Sequence, residues 1–345
     1  MLQSPHPLPR ARVGAPASSR SGERYGDIPS ALPGLRPAPH LVVAYWRREE
    51  GNAEFMRNNT LRGLLLTLGT LLLVTLKLPL LRSQTTKEIP TNQERHLRLD
   101  LYYRCWWDSD AEFSHSGLLE RPILTSGDPQ QVVRPGAVLV YAKRFSHAFL
   151  EPRSRTQPTQ HSYQEILYVV KGKGVIAGGE KKVPIEDGTA ALLPPNMEHT
   201  LENEGSQPME ILILTEELPA NFKPRPDMLV RYLRQLPITH IAHWSYAVRW
   251  LFREEDGLGQ LSNVLIVTQD AMTIGSPHAH VPLWEEVWYK IEDDSLLFVG
   301  SEIRKMVNGC GFISPPDGVT PHSVINTTDH PQRYFYFAHY LTSAH

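Results

Sequence analysis

Beyond residue 136 the apolar positions fall in short runs separated by turn-forming blocks. Residues 137–142, 166–170, 174–177, 190–193 and 209–214 are rich in Val, Ile, Leu and Ala, and Gly172, Gly174 and the Gly178-Gly179 pair punctuate them. Apolar runs this short, bounded by turn residues, predict strands. The glycines supply the positive φ that tight hairpin turns need. The same texture returns over 263–268, 287–291, 295–299 and 333–338, where aromatic residues join the β-branched ones. Short strands at regular spacing predict an all-β protein of sandwich or barrel type, in two units at 136–217 and 261–345. Residues 218–260 connect them; within this stretch 227–234 reads as a short helix capped by Asp227. Residues 84–135 combine a polar linker with an aromatic arm, 101–107, expected to pack on the first unit.

The N-terminal part has another character. Residues 1–55 are dominated by Pro, Arg, Ser, Gly and Ala, without a period of 2 or 3.6. Such a segment buries too little apolar surface to offset its chain entropy and is expected to be disordered. A basic start at Met56 then leads into an apolar run from Gly63 to Leu76, extended to Leu81 across Lys77. That order describes a secretory signal peptide over 56–83, with Met56 as a candidate true start. The run also approaches the ~20 residues of a spanning helix, so a retained anchor over 63–81 is the alternative. Both readings predict that the remainder is exported, to the periplasm or the extracellular space.

The length of 345 residues gives room for about two domains. A net charge of −2 provides no general attraction for nucleic acid, and none is expected as a partner. Cys105 and Cys310 are the two cysteines. They allow one disulfide, but Cys310, between Gly309 and Gly311 and ahead of an apolar run, reads first as a small buried hydrophobe.

The chemistry concentrates in 277–289 and 316–326. His278 and His280 are two apart, so both imidazoles share one face if the chain is extended there. Glu285 and Glu286 follow, and His322 comes about 40 residues later. Imidazole and carboxylate are ordinary ligands of divalent transition metals. These segments resemble the two motifs of the cupin superfamily, G(x)5HxH(x)3–4E(x)6G and G(x)5PxG(x)2H(x)3N. The resemblance implies a small β-barrel (a double-stranded β-helix or jelly roll) with a metal held by His278, His280, one Glu and His322. Counting from His280 selects Glu285, which is the preferred ligand. The aromatic three residues after the motif carboxylate selects Glu286 instead, with Tyr289 in that place. Three details depart from the pattern: Gly275 lies only three residues before His278, Asp293 stands near the second glycine position, and one extra residue separates Gly318 from His322.

The first unit resembles the same family. His161 and Glu165 have the right spacing, Gly172 follows, and Gly188, Pro194, His199 and Asn203 fall at second-motif intervals. Asn196 stands for the motif glycine, a substitution that asparagine's tolerance of left-handed backbone allows. Thr159, however, occupies the place of the first histidine. His161, Glu165 and His199 remain, enough for a three-ligand site or for an empty barrel.

The chain therefore resembles two-barrel (bicupin) proteins, with an internal repeat of roughly 120 residues. Such a protein is expected to carry Fe, Mn, Ni or Zn and to bind a small molecule. The resemblance implies a range of metal-dependent enzymes without selecting among them; joined to the export segment, the first reading is an exported, dioxygenase-type oxidoreductase. A decarboxylase, hydrolase or isomerase, or a non-catalytic binder of a sugar-like ligand, are the alternatives. It also allows a homo-oligomer, and a membrane contact only if 63–81 is retained.

Overall fold

The computed structural model describes residues 97–240 and 243–340. The expected disorder of 1–55 and the signal or anchor of 56–83 lie outside the described residues. Among the described residues no helix is long and apolar enough to cross a membrane.

The chain begins with β1 (Tyr103–Cys105), β2 (Glu112–Ser114) and β3 (Leu118–Ser126), followed by β4 (Ala137–Leu139) and β5 (Ala142–Leu150). Next come β6 (Gln164–Lys171), β7 (Lys173–Gly178), β8 (Lys181–Glu186), β9 (Thr189–Leu193), β10 (His199–Asn203) and β11 (Met209–Glu216). After the connecting β12 (Leu229–Tyr232) the second unit starts with β13 (Tyr246–Arg253), β14 (Asn263–Gln269) and β15 (Thr273–Ile274). It ends with β16 (Glu285–Lys290), β17 (Ser295–Val299), β18 (Glu302–Met306), β19 (Cys310–Ile313), β20 (His322–Asn326) and β21 (Gln332–His339).

Each unit is a barrel of two sheets. In the first, a sheet ordered β12-β9-β6-β11-β5-β3-β2, with β4 beside β3, packs on a sheet ordered β10-β7-β8. In the second, β1-β19-β16-β21-β14-β13 packs on β15-β20-β17-β18. The repeat is visible in these orders: β9-β6-β11-β5 corresponds to β19-β16-β21-β14, and β10-β7-β8 to β20-β17-β18.

Both barrels are wider than the strand pattern predicted. β2 and β3 lie upstream of 136 yet belong to the first barrel, and β13 lies upstream of 261 yet belongs to the second. The helix expected over 227–234 is instead β12 and a single 3-10 turn, Leu233–Gln235. β12 pairs antiparallel with β9, from Leu229↔Leu192 to Tyr232↔Thr189, and so covers an edge that would otherwise present unpaired backbone groups.

The aromatic arm also divides between the barrels. β1 takes the edge of the second barrel, Tyr103↔Phe312 and Cys105↔Cys310, the place that β12 fills in the first. That register brings the cysteines together as a disulfide across 205 residues. Cys310 is therefore a bonded cysteine, not the lone buried hydrophobe expected. Trp106 packs edge-on against Phe149, centroids 5.1 Å apart, on the side of the first barrel.

Among the described residues, three apolar clusters hold the structure. One fills the first barrel, around Leu167, Val169, Ile176 and Leu201, and one the second, around Leu265, Trp288, Leu297 and Tyr336. The third lies between the barrels and joins Phe145, Ile166, Tyr168 and Leu212 to Val287, Tyr289, Phe335 and Phe337. Strands β16 and β21 thus bury both faces, one inside their barrel and one against the other barrel. That is why their sequences read as continuous apolar runs instead of alternating ones.

Two carboxylates lock this interface. Glu216 accepts N–H bonds from Gly259, Gln260 and Leu261 at the entrance to β14, at 2.9, 2.9 and 3.1 Å. Glu285 does the same for Val140, Tyr141 and Ala142 at the entrance to β5, at 2.5, 3.0 and 2.9 Å.

Candidate metal centre

In the second barrel His278, His280, Glu286 and His322 each point one ligand atom to a common space, and these atoms all lie within 4.8 Å of one another. β16 contributes Glu286 and β20 contributes His322, while His278 reaches the site through a bridge to His322. His280 Nε2 is 2.9 Å from Glu286 Oε2. His322 Nε2 is 2.8 Å from Glu286 Oε1. The Nδ1 of His278 bonds the Ser276 carbonyl at 2.9 Å, which leaves its other nitrogen for the site.

Glu285 is not in this group. Successive residues on a strand face opposite sides. Glu286 and Trp288 therefore point into the barrel, whereas Glu285 points to the interface between barrels and is occupied there by three backbone N–H groups. The sequence favours Glu285, but the structure sets Glu286, not Glu285, among the converging donors.

Glu286 is itself held by three further donors. Trp288 Nε1 bonds its Oε1 at 2.7 Å, Ser314 Oγ the same atom at 3.3 Å, and Tyr336 Oη its Oε2 at 2.8 Å. Tyr336 also bonds Tyr340. Burial pushes the Glu286 carboxyl up, but the His280 and His322 imidazoles beside it outweigh that and hold it well below the ordinary carboxylate range. Burial, joined by the neighbouring imidazoles, pushes the His278 imidazole down. Anionic carboxylate and neutral imidazole are the forms a metal requires. His280 Nε2 is buried and lacks a hydrogen-bond partner, despite its short distance to the carboxylate. An orphaned imidazole nitrogen among these donors fits a divalent transition metal.

The site opens into a cavity of about 520 Å³. Its walls include Tyr246, Trp250, Trp284, Trp288, Leu265 and Tyr340. His243 stands on this wall with its ring 5.1 Å from that of His278. Asn326 does not orient His322. Its amide bonds the carbonyls of Asp270 and His330 and closes a loop, as the Asn203 amide does with Glu151 and Gln207 in the first barrel.

The first barrel brings together His161 and Glu165 as expected, with His199 Nε2 3.6 Å from Glu165 Oε2. The sequence reading missed His115. It comes from the turn between β2 and β3, and its Nε2 lies 3.0 Å from Glu165 Oε1. Asn196 has φ +61°, the left-handed backbone expected of the residue replacing a glycine. The adjoining cavity, about 480 Å³, is polar and is lined by Glu112, Glu120, Lys143, Arg144, Tyr163 and Glu217 among others.

Residues 146–215 match the family model described as the cupin domain. An uncharacterised protein of Methanocaldococcus jannaschii, MJ1618, is 25% identical over 84 residues, 24% of this chain and 67% of that protein. Among solved structures, a putative glyoxylate-induced protein of Pseudomonas aeruginosa superposes with a TM-score of 0.54 at 14% identity, covering 72% of this chain and 85% of that one. A variant of Bacillus subtilis oxalate decarboxylase gives 0.53 at 14% identity, covering 73% and 84%. The 7S globulin of Momordica charantia gives 0.53 at 11%, covering 69% and 83%. At these identities the structural likeness establishes the fold, which enzymes and a globulin share.

Proposed function

We propose, from the cupin-domain match over residues 146–215 and the two-barrel cupin fold, that the chain is an exported, metal-dependent enzyme. Its substrate is a small molecule with an apolar, ring-like body, and a dioxygenase-type oxidation is the reaction. The observation that carries this reading is the set of four converging ligands at the wall of a cavity lined by indole and phenol rings.

His278, His280, Glu286 and His322 would hold the metal. When bound, it would supply Lewis-acid and redox chemistry for dioxygen activation. The chain's own residues do the rest. Trp288, Ser314 and Tyr336 fix the carboxylate's orientation. Trp284 stacks beside His280, centroids 4.9 Å apart, and packs on Tyr340, so the rings wall the ligands off from solvent and offer flat faces to the substrate. The Tyr336–Tyr340 pair leads from Glu286 to the cavity and can hold a proton near a substrate hydroxyl.

Oxygen uptake by the metal-loaded full chain with catechols, gentisate and flavonols tests the proposal. Uptake with one class, absent from Glu286→Gln, supports it. Binding seen as quenched tryptophan fluorescence, without uptake, favours a binding protein. Export is supported by the Cys105–Cys310 disulfide, since such bonds persist in oxidising compartments. Mapping the N-terminus of the native protein checks it: a start near residue 84 marks a cleaved signal, and an intact 63–81 in the membrane fraction marks an anchor.

A further inference from the structure

The first barrel lacks the motif histidine at Thr159, and the structure shows both what fills that place and what substitutes for it. Thr159 forms a bridge with His199, as His278 does with His322 in the second barrel. The two residues are thus equivalent in position. The Thr159 hydroxyl turns away and donates to the Gln157 carbonyl at 3.0 Å. An imidazole arrives from elsewhere: His115 is buried, 5% exposed, with its ring 4.8 Å from that of His161 and 5.6 Å from that of His199.

The backbone at His115 is unusual. β2 and β3 are joined by a turn closed by a bond from Gly117 N to Ser114 O at 3.0 Å. Its two central residues, His115 and Ser116, have φ +51° and +49°. Hairpin turns with two positive φ values strongly favour Asn, Asp and Gly. A histidine held left-handed and buried at such a position is an outlier of the kind that collects at functional sites.

The neighbouring imidazoles point to what the site holds. His161 Nε2 and His199 Nε2 are buried without a hydrogen-bond partner, and both face Glu165 Oε2, at 3.9 and 3.6 Å. Buried polar atoms are almost always satisfied. Here two orphaned nitrogens, a carboxylate and His115 Nε2 surround one space. Ligand atoms of His115, His161 and Glu165 already lie within 4.8 Å of one another.

We propose that the first barrel holds a second divalent transition metal, ligated by His115, His161, His199 and Glu165, with the hairpin turn of the N-terminal arm supplying the imidazole that Thr159 cannot. This site stands independently of the reading of the second barrel. The competing account is a structural His115–Glu165 ion pair with no metal.

The test uses the full chain carrying His280→Ala and His322→Ala, which removes two second-barrel ligands, so that remaining metal reports the first barrel. The protein is incubated with Fe(II), Mn(II), Ni(II) or Zn(II) alone, desalted and analysed for metal. The expected result is about one equivalent of at least one of these ions. His115→Asn should abolish it. Asparagine suits the turn better than histidine, so the metal-free variant should melt no lower than its parent, which separates lost ligation from lost folding. Adding Thr159→His to His115→Asn should restore the metal, because it returns an imidazole to the motif position. The proposal is overturned if the parent binds none of the four ions. It is equally overturned if His115→Asn keeps the metal, or if that variant loses only thermal stability, as a structural ion pair requires.

Discussion

Replacing Glu285 by leucine separates the two adjacent glutamates by what each does. The side chain is fully buried and accepts three backbone N–H bonds, from Val140, Tyr141 and Ala142. Leucine has a similar volume and accepts none, so three backbone donors lose their partner, the one at Ala142 buried and those at Val140 and Tyr141 partly buried. At ~1–3 kcal/mol for the buried unsatisfied group and about 1 kcal/mol for each of the two that water can reach, the gross loss is on the order of 3–5 kcal/mol. An opposing effect depends on pH. Burial pushes the Glu285 carboxyl up to about 7, although its three backbone N–H bonds pull the other way. Between the ordinary value of 4.5 and about 7 the folded state binds this proton more tightly than the unfolded chain, so its contribution to stability falls as pH rises. The leucine variant lacks that slope. Its deficit should therefore be largest near pH 5 and shrink by up to about 3 kcal/mol by pH 8. Urea unfolding of the chelator-treated proteins at both pH values measures the change. Metal analysis of the untreated variant should give the wild-type content. A deficit that widens with pH, or loss of metal from Glu285→Leu while Glu286→Gln retains it, would refute the assignment of roles.

Other outcomes follow from the same geometry. Lys290 is fully buried, its ammonium 4.3 Å from the Tyr334 ring centroid, and burial pushes it down to about 8. Its protonated form then destabilises the fold by ~3 kcal/mol below pH 8, an effect relieved as pH rises from about 8 towards 10.5. Lys290→Met should raise the unfolding midpoint at pH 7 and gain little at pH 10.5, as read by thermal melts. In the metal-free protein the depressed Glu286 carboxyl gives stability that is present above 4.5 and lost as pH falls through its lowered value, so Glu286→Gln should flatten the acid limb of the stability profile. Replacing both cysteines by serine removes the tie between β1 and β19, and should cost ~2–5 kcal/mol in denaturant unfolding.

The features that could be read in the sequence were local ones. The His-x-His pair, the later histidine and the returning texture of short apolar runs all lie within single strands or their flanking turns, where spacing maps directly onto geometry. The choice between Glu285 and Glu286 shows the limit. Counting from His280 crosses the turn before β16, where Leu283 has φ +74°, and such a turn does not transmit register. The aromatic counted forward from Glu286 lies on β16 itself, where alternation is strict, and that signal picks the glutamate that faces the converging histidines. His115 left no local trace, because it reaches the first barrel from a hairpin 46 residues ahead of His161 and 50 ahead of Glu165, outside both motifs. The disulfide likewise depends on β1 crossing to the far barrel, a pairing over 205 residues that no periodicity records. β12 was misread because a short mixed run suits helix and strand alike until an open sheet edge selects one.

The central claim is that His278, His280, Glu286 and His322 hold a metal in the second barrel. Metal analysis of the full chain, purified without chelator, beside the His280→Ala/His322→Ala double variant tests it most directly. The account predicts that the double variant carries about one equivalent less than the wild type at the same folded fraction. An unchanged metal content in the double variant would contradict it.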